Sequence, residues 1–410
     1  MVTGLGGVTP LGNTIPETWK NICAGVSGAA NITRFDTTKF KTKFACEVKN
    51  FDPTVAIDKK EVRRLDIVTQ YALVAAHEAV QDARLDTDPS VDKNEVGVIW
   101  SSGIGGLDTL QNEIIDYAKG DGTPRFSPFL VPKMILDISS GHISIRYGFR
   151  GPNYAPVAAC ASSTNAMIDA LTFIRLNKAK AIVVGGTEAS ILVASVGGFS
   201  SMKALSERND SPQTASRPFD LDRDGFVLGE GAVGLIFEEY EHAKARGAKI
   251  YAEVVGGGMS ADAYHITAPH PEGLGATLVM NRALEDAGLK ATDIDYVNVH
   301  GTSTPLGDIS EIKAIQAVFG EHAFKMNISS TKSMTGHLLG AAGAIEGAIA
   351  VLSVAEDIVP PTINHFTDDP AFDSRLNLTF NKAQKRTVNY ALSNTFGFGG
   401  HNASVIFKKI

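Results

Sequence analysis

An α/β fold built from two similar halves is what the sequence predicts, and three observations carry it. Short apolar runs that read as buried strands alternate with helical patterns along all 410 residues. One unit, strand–loop–apolar helix–strand, occurs around Cys160 and again around His337. Hydrophobic residues make up 44% and charged residues 20% of the chain, a globular balance with length enough for a large core. The repeat rests on the order of elements rather than on identity between the halves. It divides the chain into residues 1–247 and 248–410.

In order, Val2 to Gly7 reads as a strand running into a glycine turn, and Thr14 to Ala24 as a short helix. Residues 31–56 lack a clear period and predict loop with short extended pieces. Lys60 to Leu85 reads as one long amphipathic helix, with Val62, Leu65, Val68, Ala72, Ala76 and Ala79 along one side. Val96 to Trp100 is a buried strand, and the loop Ser101 to Gly106 lacks the spacing of a phosphate cradle. Helices are expected at 107–118 and 135–146. An apolar run ends at Ala158-Ala159, Cys160 follows, and a helix that is apolar nearly all round begins. Ala181 to Val184 is the next strand and Gly231 to Glu238 another. The second half repeats the pattern. It has strands at 250–255, 294–299, 326–330, 390–393 and 403–407, a helix at 275–288, and a buried helix from Leu338 to Ala355.

Composition excludes several classes of function. The net charge of −7 argues against a nucleic-acid binder. Three cysteines, Cys23, Cys46 and Cys160, suit a reducing, cytoplasmic setting without a disulfide framework. The most apolar long stretch, Ala344 to Val359, is interrupted by Glu346 and Glu356, so no membrane span is expected.

The candidate chemistry follows the strands. Cys160, His300 and His337 each come just after a buried strand, where sites gather in open α/β architectures. Cys160 stands at a helix N-terminus, where free N–H groups and the positive dipole end favour an anion. A thiol there is expected to have a lowered pKa and to be a candidate nucleophile. The alternative is a small buried hydrophobe, the usual fate of a free cysteine. Glu346 interrupts an otherwise apolar helix, and a buried carboxylate needs a partner. Lys332 is the nearest cation in sequence.

Five stretches carry a resemblance. They are Ala159-Cys160-Ala-Ser-Ser, Arg217-Pro-Phe-Asp-Leu-Asp-Arg-Asp-Gly-Phe, His300-Gly-Thr-Ser-Thr-Pro, Lys332-Ser-Met-Thr-Gly-His337-Leu-Leu-Gly-Ala-Ala-Gly, and Asn394-Thr-Phe-Gly-Phe-Gly-Gly. On these the chain resembles the β-ketoacyl-acyl carrier protein synthases of the elongating type, synthase II above all. The resemblance implies a thiolase-like fold, duplicated halves in five layers (αβαβα), acting as a homodimer. It implies a decarboxylative condensation that lengthens a fatty acyl chain by two carbons. Cys160 would be the nucleophile, His300 and His337 donors to the enolate, and Lys332 the residue that holds the site's electrostatics. Backbone N–H groups of Cys160 and Phe398 would form the oxyanion hole. Thr302 and Thr304 match pantetheine-binding positions, Phe199 and Ile104 acyl-pocket positions, and Phe398 a gate. Lys60, Arg63, Arg64 and Lys203 match docking positions for acyl carrier protein. The first three are expected to share one helical face. No separate cofactor is implied, because substrates ride on the phosphopantetheine of the carrier protein. Where many relatives have Thr after Phe-Gly-Phe-Gly-Gly, this chain has His401.

Rival readings are weaker. A thiolase needs a second cysteine near the C-terminus, and none lies beyond residue 160. The synthase III branch uses Cys-His-Asn, whereas this pattern is Cys-His-His. Zinc ligands usually cluster locally, and Cys160, His300 and His337 lie far apart in sequence. Inactive partners of polyketide assemblies resemble this family but lack the cysteine.

Overall fold

The computed structural model describes residues 1–410. Two five-stranded sheets dominate it. The first holds β1 (Val2–Val8), β2 (Val96–Ser101), β3 (Asn153–Tyr154), β4 (Ala181–Glu188) and β5 (Gly231–Glu238). The second holds β6 (Glu253–Ala261), β7 (Tyr296–Asn298), β8 (Asn327–Ser329), β9 (Tyr390–Gly397) and β10 (His401–Lys408). Their orders are β1-β5-β4-β2-β3 and β6-β10-β9-β7-β8. In both, the first three strands of that order run antiparallel to one another and the last two add in parallel. Position by position, the topology is the same.

Helices α1 (Ile67–Asp82), α2 (Ser162–Arg175), α3 (Leu274–Ala287) and α4 (Ala342–Glu356) complete the layers. α1 covers the first sheet along β1 and β5, and α3 covers the second along β6 and β10. α2 and α4 lie between the sheets and touch both. All of α4 from Ala342 to Val354 is buried. The stretch Leu339–Glu356 is long and apolar enough to cross a membrane, and it is 89% buried inside the protein. Its apolarity is that of a core helix.

The glycines of β1 do not make the expected turn. The strand runs through them to Val8, and a Cβ on Gly4 or Gly6 would stand 2.4 Å or 2.2 Å from a carbonyl oxygen of α1. Gly256 and Gly258 of β6 meet α3 in the same way. Glycine at alternate strand positions thus lets each outer helix pack on its sheet.

Other expectations need correction. The helix expected over 60–85 is broken. A short helix, Lys59–Val62, is capped by Asp58, and α1 starts anew after Asp66. Asp66 accepts from the Val68 N–H at 3.0 Å and from the Thr109 hydroxyl at 2.6 Å, so its side chain serves as an N-cap and a tether. Arg63 and Arg64 fall at the break and do not share a helical face with Lys60. The helix expected at 135–146 runs from Ile138 to Tyr147, and a short helix that was not expected, Leu130–Met134, precedes it. β4 continues past its glycine pair to Glu188, and β9 continues through Asn394 to Gly397.

Candidate active site

A cavity of about 590 Å³ opens between the halves, lined by residues from both. Cys160, His300 and His337 all face it. Each comes from the loop after a parallel strand: Cys160 after β3, His300 after β7 and His337 after β8.

Cys160 sits in a one-turn 3-10 segment, Ala159–Ala161, that leads directly into α2. Ala159 holds φ +49°, a left-handed conformation that costs a non-glycine residue of order 1 kcal/mol or more. His337 Nε2 stands 3.1 Å from Cys160 Sγ. The Leu339 N–H donates to His337 Nδ1 at 3.3 Å, which assigns the proton to Nε2 and aims it at the sulfur. The His300 ring lies 5.2 Å from that of His337, nearly perpendicular to it. Glu311 anchors the His300 loop by accepting the backbone N–H groups of His300 and Gly301 at 2.9 and 2.8 Å. The His300 Nδ1 is buried and unpartnered.

Electrostatics give a neutral histidine pair. Burial, then the Lys332 cation, holds both imidazoles well below the ordinary histidine value of 6.5. Lys332 is buried and paired with Glu346, the partner its position in sequence suggested. Burial pushes the Glu346 carboxyl up and Lys332 opposes it. The thiol departs from expectation. Burial pushes Cys160 up to about 12, against the pull of Lys332 and the Phe398 N–H. Desolvation is the largest influence on the thiol, which rests protonated.

Phe398 follows β9 beside Cys160. A Cβ on Gly397 would stand 2.7 Å from the Ala158 carbonyl oxygen and 3.1 Å from the Cys160 nitrogen. Only glycine lets the strand end come this close. Ile104, Phe199 and Phe398 line the cavity, and the Phe199 and Phe398 rings lie 6.5 Å apart. Thr302 and Thr304 line it too, their hydroxyl oxygens 3.1 Å apart. Arg223, in the motif that begins at Arg217, pairs with Asp308 and Asp369 and secures that loop. His401 is exposed, its ring packed close to Gly399.

Lys203 lines the cavity and is exposed. Lys60, Arg63 and Arg64 are exposed but do not line it. Lys133, which sequence reasoning missed, joins them by donating to the Arg63 carbonyl at 3.1 Å. Also missed were Glu311, Glu188 and Phe226, whose ring packs edge-on 5.3 Å from that of His337. The two glutamates are buried carboxylates, the same signal that marked Glu346.

The far-apart spacing used against zinc does not survive, because Cys160, His300 and His337 converge. Even so, no group of three or more His, Cys, Asp or Glu side chains is arranged to hold a metal ion.

Comparison with known proteins is consistent across the chain. Residues 1–243 match the beta-ketoacyl synthase N-terminal domain and residues 251–366 the C-terminal domain. A 3-oxoacyl-[acyl-carrier-protein] synthase 2 of Staphylococcus aureus is 49% identical over 412 residues, covering 100% of this chain and 98% of the relative. One from Synechocystis is 48% identical, covering 100% and 97%. Among solved structures, a beta-ketoacyl synthase from Burkholderia phymatum superposes with a TM-score of 0.92 at 35% identity, over 100% of this chain and 98% of the other. The ishigamide ketosynthase/chain length factor matches with a TM-score of 0.92 at 33% identity, with the same coverage. The chain belongs to the beta-ketoacyl synthase family, with its thiolase-like fold.

Proposed function

We propose that this protein condenses malonyl-acyl carrier protein with an acyl group held on Cys160, extending a fatty acyl chain by two carbons. The observation that carries the proposal is the convergence of Cys160, His337 and His300 at the wall of one cavity. The Cys160 sulfur attacks the incoming acyl thioester, and the pantetheine thiol leaves with the proton the cysteine gives up. Malonyl thioester then loses carbon dioxide, and its electron pair passes into an enolate. The Nε2–H of His337 and the ring of His300 stabilise the enolate oxygen. The enolate carbon attacks the acyl-Cys160 carbonyl, the carbon–sulfur bond breaks, the Cys160 thiolate takes up a proton from solvent, and the β-ketoacyl product departs on the carrier. The N–H groups of Cys160 and Phe398 serve the oxyanion in both acyl-transfer steps. Neutral imidazoles suit these roles, since they donate without adding charge to a buried site.

Lys332, paired with Glu346, is the fixed positive charge behind the histidines. Thr302 and Thr304 bind the pantetheine arm. Ile104 and Phe199 contact the acyl chain, and Phe398 gates it, with His401 packed on the gate's glycine. Lys60, Arg63, Arg64 and Lys203 dock the carrier protein. No separate cofactor enters these steps, and use of carrier-bound substrates supports a cytoplasmic setting. The break between the halves falls at 247/248.

Two protomers pair through the free edge of β3. Close to it in the chain, Ile145 and Val157 are 80% and 54% exposed. Sedimentation that finds only monomer at micromolar concentration would remove the dimer.

The test of the reaction is product analysis. Purified protein is mixed with malonyl-carrier protein and acyl-carrier proteins of graded length, and products are read by mass spectrometry. A β-ketoacyl product two carbons longer than the primer is expected. Transfer without carbon–carbon bond formation would refute the proposal.

A further inference from the structure

The two helices between the sheets begin alike. α2 follows the turn Ala159–Ala161, and α4 follows the turn Leu339–Ala341. The first residue of each turn is left-handed, at φ +49° for Ala159 and +47° for Leu339. Cys160 and Gly340 are therefore equivalent positions in the duplicated fold. Each lies where free backbone N–H groups and the helix dipole favour an anion. At Cys160 this place faces the cavity. At Gly340 it is already filled, by the carboxylate of Glu188.

Glu188 is the last residue of β4 and fully buried. Its Oε2 accepts the N–H groups of Gly103 at 2.9 Å and Gly340 at 3.0 Å. Its Oε1 accepts the Ile104 N–H at 3.2 Å and the hydroxyls of Ser102 at 3.1 Å and Ser190 at 3.2 Å. Three backbone donors and two hydroxyls converge on two oxygens, an environment for an acceptor-only carboxylate. A Cβ on residue 340 would stand 2.1 Å from the Gly103 nitrogen, so no nucleophile fits in this twin.

The partners of Glu188 lead to the working site. Ile104 lines the cavity beside Cys160. Gly340 follows Leu339, whose N–H sets the His337 tautomer. Glu188 itself does not line the cavity. We propose that Glu188 is a positioning residue for the condensation. By filling the anion hole of the second half, it ties the Ser102–Gly105 loop, which shapes the acyl pocket, to the turn that orients His337. This role rests on the reaction proposed above.

Glu188→Gln tests it. The amide keeps the shape but offers one acceptor oxygen, and it turns two N–H donors toward groups that already donate. Loss of charge-assisted hydrogen bonds of this kind predicts a fall of about tenfold or more in the kcat of condensation. KM for the carrier-protein substrates should stay within about twofold, since the docking surface is untouched. The distribution of product lengths should shift, because the Ile104 backbone loses its anchor. A merely structural role would lower the unfolding temperature and leave product lengths unchanged once activity is normalised to folded protein. That result would overturn the proposal, as would a crystal structure of the variant with both loops unmoved. If Glu188→Gln does not fold, Ser102→Ala removes one of the five donors and should shift product lengths in a folded protein. An unchanged length distribution there would equally overturn the role. Wild-type protein that makes no condensation product would instead refute the reaction itself, and the role of Glu188 with it.

Discussion

Replacing Gly397 by alanine tests the proposed oxyanion hole without touching any reactive side chain. The new Cβ would stand 2.7 Å from the Ala158 carbonyl oxygen, so the end of β9 must back away by roughly 0.7 Å to reach an ordinary 3.4 Å contact. The next residue is Phe398, and its N–H moves with the strand end, off the position it holds beside the Cys160 sulfur. Loss of one oxyanion donor costs about 100- to 1,000-fold in rate. Acylation of Cys160 in Gly397→Ala should fall by at least the lower figure. The assay is single-turnover transfer from acyl-carrier protein, followed by intact mass, with thermal unfolding as a control on folding. KM for the carrier should change little. Acylation within about threefold of wild type, in a variant whose structure shows the alanine in place, would refute the assignment of the Phe398 N–H to this step.

Three further outcomes follow from the same geometry. Replacing His300 or His337 by Ala should cost about 100-fold or more in malonyl decarboxylation and less in acylation, and equal losses in both half-reactions would count against the proposed roles. Because burial raises the Cys160 thiol to about 12, the neutral form persists at higher pH than in an ordinary thiol. Alkylation of Cys160 should climb about tenfold per pH unit through pH 9, where levelling off would contradict the shift. Arg63→Glu with Arg64→Glu should raise KM for carrier-protein substrates about 3- to 10-fold, leave a small pantetheine thioester unaffected, and lose the contrast in high salt. Parallel losses on both kinds of substrate would move these residues from docking to fold support.

Much of the architecture was legible because it depends on local pattern. Buried strands and the apolar helix after Cys160 announce themselves by composition, and the second half repeats their order. What depends on a distant partner was not. Asp66 caps α1 and also holds Thr109, and nothing near Asp66 in sequence announces the second contact. The glycines of β1 read as a turn because the helix they admit comes some seventy residues later. The thiol pKa was misjudged for a related reason. The helix N-terminus is written in the local sequence, but the burial that raises the thiol comes from an enclosure built by both halves. Lys332 and Glu346 were paired correctly from one sign, a carboxylate inside an apolar helix. Glu188 carries the same sign at the end of an apolar strand, but in the sequence the glycine pair before it reads as the strand's end.

The central claim is that Cys160 carries the acyl group. Cys23 and Cys46 have thiols raised to about 12, like Cys160, so thiolate fraction does not separate the three. Cys160 alone of the three lines the cavity beside a histidine donor. The decisive measurement is incubation with acyl-carrier protein in the absence of malonyl substrate, followed by intact mass and peptide mapping. One acyl group per chain on the peptide containing Cys160, and none on a folded Cys160→Ala variant, is the predicted result. An acyl group mapped to Cys23 or Cys46, or a Cys160→Ala variant that still condenses at near wild-type rate, would contradict it.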